Sequence, residues 1–234
     1  MDVVSWAWLV ALLAGLIWLT VVVRRWLRLL DLRSRVDWGG RWINRFDGLV
    51  RIFCRRYHHL RADPSGLPKH GGAIVVANHV SGLDPFLLVA TCRRPLRFII
   101  AREEYERWWL TWFFRLIGCI PVDRAARPER ALRGALKALR AGEVVALFPH
   151  GKIHLDSDPP RPLKGGVAAL SRLTKAPVIA LRIDGVRGEG EVFPAIWQRS
   201  RVRVRAFPPR ICQPGEEESF LRDIAAMIEG RWHG

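Results

Sequence analysis

Residues Val3–Val23 form a run of 21 without a charge or a proline. As a helix such a run is about 32 Å long, which matches a bilayer hydrocarbon core of about 30 Å. Arg24, Arg25 and Arg28 follow at once, and Asp2 is the one side-chain charge before it. By the positive-inside rule, that asymmetry places the N-terminus outside and the rest of the chain on the cytoplasmic face. A cleaved signal peptide fits poorly. There is no basic n-region, the apolar run is too long, and Arg-Arg stands where small residues would be needed. The run reads as a membrane anchor that either spans the bilayer or lies in one leaflet.

Charge and aromatic content point the same way. Lys plus Arg number 38 against 22 for Asp plus Glu, a formal net charge of +16, so the partners are anionic. Eleven Trp stand against two Tyr. Six of those Trp fall within the first 42 residues, and Trp108, Trp109 and Trp112 form a second group. Trp favours the membrane–water interface, where its ring is buried and its N–H stays wet. Membrane lipids are therefore expected as partners, and nucleic acid is not, since no nucleic-acid motif accompanies the charge. The four scattered cysteines exclude a disulfide scaffold and fit a reducing compartment.

Residues 41–60 read as a second helix. Trp42, Phe46, Leu49, Val50, Phe53, Tyr57 and Leu60 share one face, and Arg41, Arg45, Arg51, Arg55 and Arg56 fill much of the rest. That stripe suits either an anionic membrane surface or the protein core. The turn-rich Asp63-Pro64-Ser65-Gly66-Leu67-Pro68 closes the N-terminal region, so 1–62 is expected as an anchoring helical region and 63–234 as the main domain. Beyond it, strands are predicted at 73–77, 97–101, 144–148, 177–183 and 201–207. Helices are predicted at about 85–92, 103–117, 128–141, 166–174 and 216–230. The alternation indicates an α/β fold with helices packed on a central sheet.

The sharpest local feature is Asn78-His79-Val80-Ser81-Gly82-Leu83-Asp84-Pro85, which follows directly on the apolar run Ala73–Ala77. Open α/β sheets place ligands at the C-terminal ends of their strands. His79 and Asp84 are five apart, a spacing that separates them by about 140° on a regular helix. They meet only if the chain turns, and Ser81-Gly82 permits a turn. Asp84-Pro85 also reads as a helix N-cap followed by proline at the first helical position. A His supported by a carboxylate is a general base near neutral pH. No Ser or Cys nucleophile stands in a fitting motif, so the base would activate an incoming hydroxyl instead of serving an acyl-enzyme.

At these residues the chain resembles the glycerolipid acyltransferases typified by 1-acylglycerol-3-phosphate acyltransferase. The first block is Asn-His, four residues, then Asp-Pro. Gly118-Cys119-Ile120-Pro121-Val122-Asp123-Arg124 corresponds to the second, and Leu147-Phe148-Pro149-His150-Gly151-Lys152 to the third. Ala176-Pro177-Val178-Ile179-Ala180, preceded by Lys164-Gly165-Gly166, corresponds to the fourth. The resemblance implies a central mixed sheet flanked by helices, with His79 and Asp84 catalytic. It implies transfer of an acyl group from acyl-CoA or acyl carrier protein to a lysophospholipid, by default 1-acylglycerol-3-phosphate, with no further cofactor. It implies that Arg124 meets the acceptor phosphate and that the third block, with His150, Gly151 and Lys152, contributes to acceptor binding. Lys164 stands at a helix start that suits phosphate, or a plain turn. Backbone N–H groups at the start of the helix after His79 are candidate oxyanion donors.

The third block departs from the family's Phe-Pro-Glu-Gly-Thr-Arg. His150 replaces Glu, Lys152 replaces Thr and Ile153 replaces Arg. An acceptor-only carboxylate becomes an imidazole, which opens the identity of the acceptor. It also lends weight to a rival reading, a catalytically idle lipid-binding protein that kept the fold. His58-His59 and His154-x-Asp156 lack a second ligand cluster at matching spacing, so no metal site is expected.

Overall fold

The computed structural model describes residues 3–108, 110–123, 128–159 and 161–232. Seven strands form one sheet: β1 (Arg61–Ala62), β2 (Ala73–Ala77), β3 (Leu96–Ala101), β4 (Ile120–Val122), β5 (Val144–Leu147), β6 (Val178–Asp184) and β7 (Arg203–Ala206). Their spatial order is β1-β7-β6-β2-β5-β3-β4. All neighbours are parallel except β6 and β7, so the sheet is mixed, as expected. Within it, β2 sits between β5 and β6, with Val76 opposite both Leu147 and Ala180.

Strand alternation divides the core into two layers. Ala73, Val75 and Ala77 face one side, together with Val144, Ala146, Ile179 and Leu181. Ile74 and Val76 face the other, with Val145, Val178 and Ala180. Every residue of β2 is fully buried, as expected of a strand covered on both faces. Helix α3 (Asp84–Thr91) covers the first side through Leu87, Leu88 and Ala90. Helices α6 (Pro128–Arg140), α7 (Gly166–Thr174) and α9 (Glu217–Ile228) cover the second. The predicted helix over 103–117 is instead two short ones, α4 (Arg102–Tyr105) and α5 (Thr111–Leu116), and α8 (Phe193–Trp197) is a further short helix.

Helix α1 runs from Val3 to Arg33, ten residues past the apolar run. It is long and apolar enough to cross a membrane, and its apolar window lies unburied against the rest of the chain. It meets α2 (Arg41–Ile52) at its C-terminal end, where a Cβ on Gly48 would stand 2.2 Å from the Leu30 carbonyl oxygen. Only glycine permits that approach. The Arg45 guanidinium grips both carboxylate oxygens of Asp31 at 2.9 and 3.1 Å and closes the corner.

The two readings of the 41–60 stripe each hold for part of it. Ile43, Val50 and Cys54 point into the core, and the helix continues as a π-turn over Phe53–Tyr57. Arg51 is buried with Asp47, and it also donates to the carbonyls of Ala90 (2.9 Å) and Cys92 (2.8 Å). It thereby caps carbonyl groups at the end of α3. Residues 41–62, grouped above with the anchor, thus pack as part of the α/β layer, and β1 pairs with β7. On the other flank Trp42 and Leu49 are exposed, and Phe46 packs edge-on to Phe113 of α5 at 5.3 Å. Trp112 and Leu116 extend that apolar surface.

Candidate active site

The side-chain parity of β2 carries past its end. Ala73, Val75 and Ala77 face the α3 layer, and His79 continues that series. On the neighbouring strand Val144 and Ala146 lead in the same way to Phe148. The two rings stack at 4.1 Å between centroids and 15° between planes. Asn78, between them in phase, turns toward β6. Its side-chain amide donates to the Ile183 carbonyl (2.8 Å) and accepts from the Ile183 N–H (2.7 Å). The amide extends the β2–β6 ladder by one rung beyond the strand.

The chain then turns at Ser81-Gly82 and brings Asp84 back to His79, whose Nδ1 lies 2.8 Å from Asp84 Oδ2. Asp84 is fully buried, whereas the His79 side chain is 20 % exposed. Because a carboxylate accepts, Nδ1–H is the donor and Nε2 is the nitrogen left for substrate. Asp84 is not an N-cap. It lies inside the first turn of α3, with Pro85 behind it, and its carboxylate reaches back over the loop. Oδ2 also accepts from the N–H groups of Val80 (2.6 Å) and Ser81 (2.8 Å), and Oδ1 accepts from Ser81 Oγ (2.9 Å). Four donors converge on this one group, so the loop shape and the imidazole orientation are set together.

The segment after β6 braces the turn from outside. Gly82 N–H donates to the Glu191 carbonyl at 3.0 Å, and Gly190 N–H donates to the Val80 carbonyl at 2.8 Å. A Cβ on Gly82 would stand 2.3 Å from the Val192 carbonyl oxygen, so the close approach demands glycine. These contacts consume the backbone donors expected for an oxyanion. The N–H groups of Val80, Ser81, Gly82, Leu83, Asp84, Phe86 and Leu87 all donate within the protein, and Pro85 has none. An oxyanion donor must come from elsewhere.

Among the described residues, neither the loop serine nor the deeply buried cysteines offer a nucleophile beside His79. Ser81 is fully buried and its hydroxyl is engaged with Asp84 and the Leu83 N–H. Burial pushes the thiols of Cys54, Cys92 and Cys119 up to about 12, so none offers a thiolate near neutral pH.

The third block forms a tight turn after β5. Gly151 has φ +76°, and a Cβ there would stand 3.6 Å from Lys164 Nζ, so the fold brings Gly151 and Lys164 together. Lys152 is exposed. The His150 side chain is 2 % exposed and turns toward Glu229, at the end of α9, with Nε2 3.4 Å from Glu229 Oε1. Its ring stacks on His154 at 4.3 Å. Burial and the neighbouring His154 lower the His150 pKa, against the pull of Glu229. Arg124 lies outside the described residues. At the start of the segment that braces the turn, a cavity of about 500 Å³ is lined by His59, Gly185, Arg187, Arg199, Ser200 and Arg201. Three contributors to the geometry of the site escaped the sequence reading: Phe148 beneath the imidazole, Asn78 as the tie to β6, and the 185–192 brace. Asn78 and Phe148 lie inside quoted blocks, and the two-residue period of β2 and β5 carries the signal for their placement.

Residues 47–184 match the family model described as Acyltransferase. The chain is 26% identical over 128 residues to a 1-acyl-sn-glycerol-3-phosphate acyltransferase of Bacillus subtilis, covering 54% of this chain and 63% of that protein. It is 26% identical over 181 residues to an N-acylphosphatidylethanolamine synthase of Arabidopsis thaliana, covering 73% of this chain and 62% of that protein. The chain thus spans under two thirds of the length of each. The crystal structure of the 1-acyl-sn-glycerophosphate (LPA) acyltransferase PlsC from Thermotoga maritima superposes with a TM-score of 0.60 at 21% identity, covering 84% of this chain and 86% of that one. It shares the fold. With more than half of its length matched by the family model, and the His79–Asp84 turn at the strand end, the chain belongs to the acyltransferase family.

Proposed function

We propose that this protein is a membrane-bound O-acyltransferase. It moves a fatty acyl group from an acyl thioester, on coenzyme A or acyl carrier protein, to the free hydroxyl of a lysophospholipid, in phospholipid biosynthesis or remodelling. The observation that carries this reading is the 2.8 Å contact between His79 Nδ1 and the buried Asp84 carboxylate. His79 Nε2 takes the proton from the acceptor hydroxyl as the oxygen attacks the thioester carbonyl. Asp84 keeps the imidazole in the tautomer with Nε2 open and supports the imidazolium that forms. Phe148 holds the ring plane. The tetrahedral intermediate expels the thiolate, which recovers the proton from the imidazolium.

1-Acylglycerol-3-phosphate is the first acceptor to consider. The altered third block leaves other lysolipids as credible substrates, and the names of the two relatives point to different lipids. Lys152 and Lys164 supply cations at the turn where the family's arginine is missing. Association with the membrane is supported by the unburied α1, by the net charge of +16 and by the exposed aromatic surface of Trp42 and Trp112. The Arg24, Arg25 and Arg28 cluster supports a cytoplasmic position for the catalytic layer.

The test is an acceptor screen with purified full-length protein and one radiolabelled acyl thioester. Incorporation into a lysolipid is expected, and His79→Ala should lower it by about 10²–10⁴-fold. Near-normal turnover by folded His79→Ala would remove the pair from the mechanism. Failure of the wild-type chain to acylate any lysolipid would favour the idle lipid-binding reading.

A further inference from the structure

The residues at which the third block leaves its family's pattern acquire partners that no local spacing announces. His150 and His154 stand four apart on the segment after β5, and Glu229 sits where α9 ends, 75 residues further on than His154. One ligand atom from each lies within 4.8 Å of the other two. The His150 side chain is 2 % exposed, and its Nε2 is buried with no hydrogen-bond partner among the described residues. It faces Glu229 Oε1 at 3.4 Å without the alignment of a hydrogen bond. Neutral, this ring nitrogen gives up its hydration with only a long, misaligned approach to Glu229 in return, and an ion would fill the space better.

We propose that His150, His154 and Glu229 bind a divalent transition-metal ion, zinc by preference, which ties the third block to the end of α9. Two imidazoles and one carboxylate form a ligand set typical of zinc, with a fourth position left for water. Ligands at about 2.0–2.1 Å in a tetrahedron stand about 3.3 Å apart, close to the spacing already present between His150 and Glu229. The ligand atoms, within 4.8 Å of one another, must draw closer, and the stacked His150 and His154 rings must turn to share one ion. The surroundings fit as well. Asp158 Oδ2 lies 3.5 Å from His154 Nδ1, in place to orient that ring and leave Nε2 to the ion. The C-terminal end of α9 contributes its negative dipole end. Arg182 separately binds Asp156 and the Ile228 carbonyl, so the two segments are held together before any ion arrives. Two cations act against the site: Arg231 pairs with Glu229, and Arg161 lies near His150. Both sit on flexible side chains that can withdraw to solvent.

The consequence for the active site is positional. The His154 N–H donates to the His79 carbonyl at 2.8 Å, so an ion held by His154 fixes a segment bonded directly to the catalytic loop.

The test uses the full-length chain in detergent, stripped with a chelator and titrated with zinc chloride. One zinc per chain should survive gel filtration, and the unfolding temperature should rise with zinc. His150→Ala, His154→Ala and Glu229→Gln should each lower zinc affinity by about 100-fold or more, and Asp158→Ala by about 10-fold. His70→Ala, at an exposed histidine elsewhere, should bind as the wild type does. Should the ligand variants fail to fold, the X-ray absorption spectrum of the wild-type zinc complex decides, with a nitrogen and oxygen shell containing two imidazoles expected. Absence of retained zinc in the folded wild-type chain at micromolar free zinc would overturn the proposal. So would a shell containing sulfur, or unchanged binding by the ligand variants. None of these readouts depends on acyl transfer.

Discussion

Asn78 and Ile183 exchange two hydrogen bonds, 2.8 and 2.7 Å long, between one side-chain amide and one backbone residue. Asn78 therefore behaves as a strand residue after its strand has ended, and it fixes where the His79 loop leaves the sheet. Both partners are buried, so truncation strands two backbone groups at once. Asn78→Ala should destabilise the fold by about 2–4 kcal/mol in denaturant titrations and lower activity further than the loss of folded protein accounts for. Stability equal to the wild type would show that water replaces both contacts.

Gly82 is constrained by approach and not by backbone angle. Its missing Cβ leaves room for the Val192 carbonyl oxygen. Gly82→Ala forces the brace and the turn apart, and the imidazole moves with the turn. A displacement of about 1 Å at the base costs on the order of 100-fold in rate. The expected result is a folded, membrane-associated protein with kcat reduced to that extent. An unchanged kcat would mean that the 185–192 brace is not needed for positioning His79.

Lys152 is exposed on the turn that holds Gly151 beside Lys164. If the acceptor phosphate docks there, Lys152→Ala removes a charge-assisted contact of about 1.5–3 kcal/mol. The apparent KM for the lipid acceptor should rise by roughly 10–100-fold while that for the acyl donor stays nearly constant. A change confined to the donor KM would assign this turn to the thioester instead.

Membrane association should depend on two surfaces. Removing residues 1–23 deletes the apolar part of α1 and leaves the Asp31–Arg45 and Gly48 corner intact. Vesicle binding should fall, and the remainder should weaken in high salt because it rests on basic residues. Adding Trp42→Ala and Trp112→Ala should reduce the remainder further. A full-length chain that fractionates without detergent as a soluble protein would exclude the anchor.

Much of the site was legible because its chemistry is local. His79 and Asp84 lie within six residues, and the Ser81-Gly82 turn that joins them is written between them. The strand at 73–77 and the helices at 166–174 and 216–230 follow from periodicity, with ends displaced by a residue or two. Legibility failed where hydrophobicity and backbone geometry part company. The apolar run stops at Val23, yet α1 continues to Arg33, because arginine and leucine favour the helix whether or not a membrane surrounds them. The segment 103–117 carries a helical pattern but breaks in two, with Thr111 Oγ1 bonded to the carbonyls of Tyr105 and Arg107 at the break.

Sequence alone determined the alternation of strands and helices, the long apolar N-terminal helix and the His79–Asp84 pair, since each depends on spacing within one segment. Tertiary structure decided which flank of α2 faces the core, that Gly82 must lack a side chain, and that Asn78 reaches Ile183. It also decided that His150 meets Glu229. Each of these joins segments far apart in the chain, and their approach depends on how the whole sheet and its helix layers pack, which no local pattern encodes.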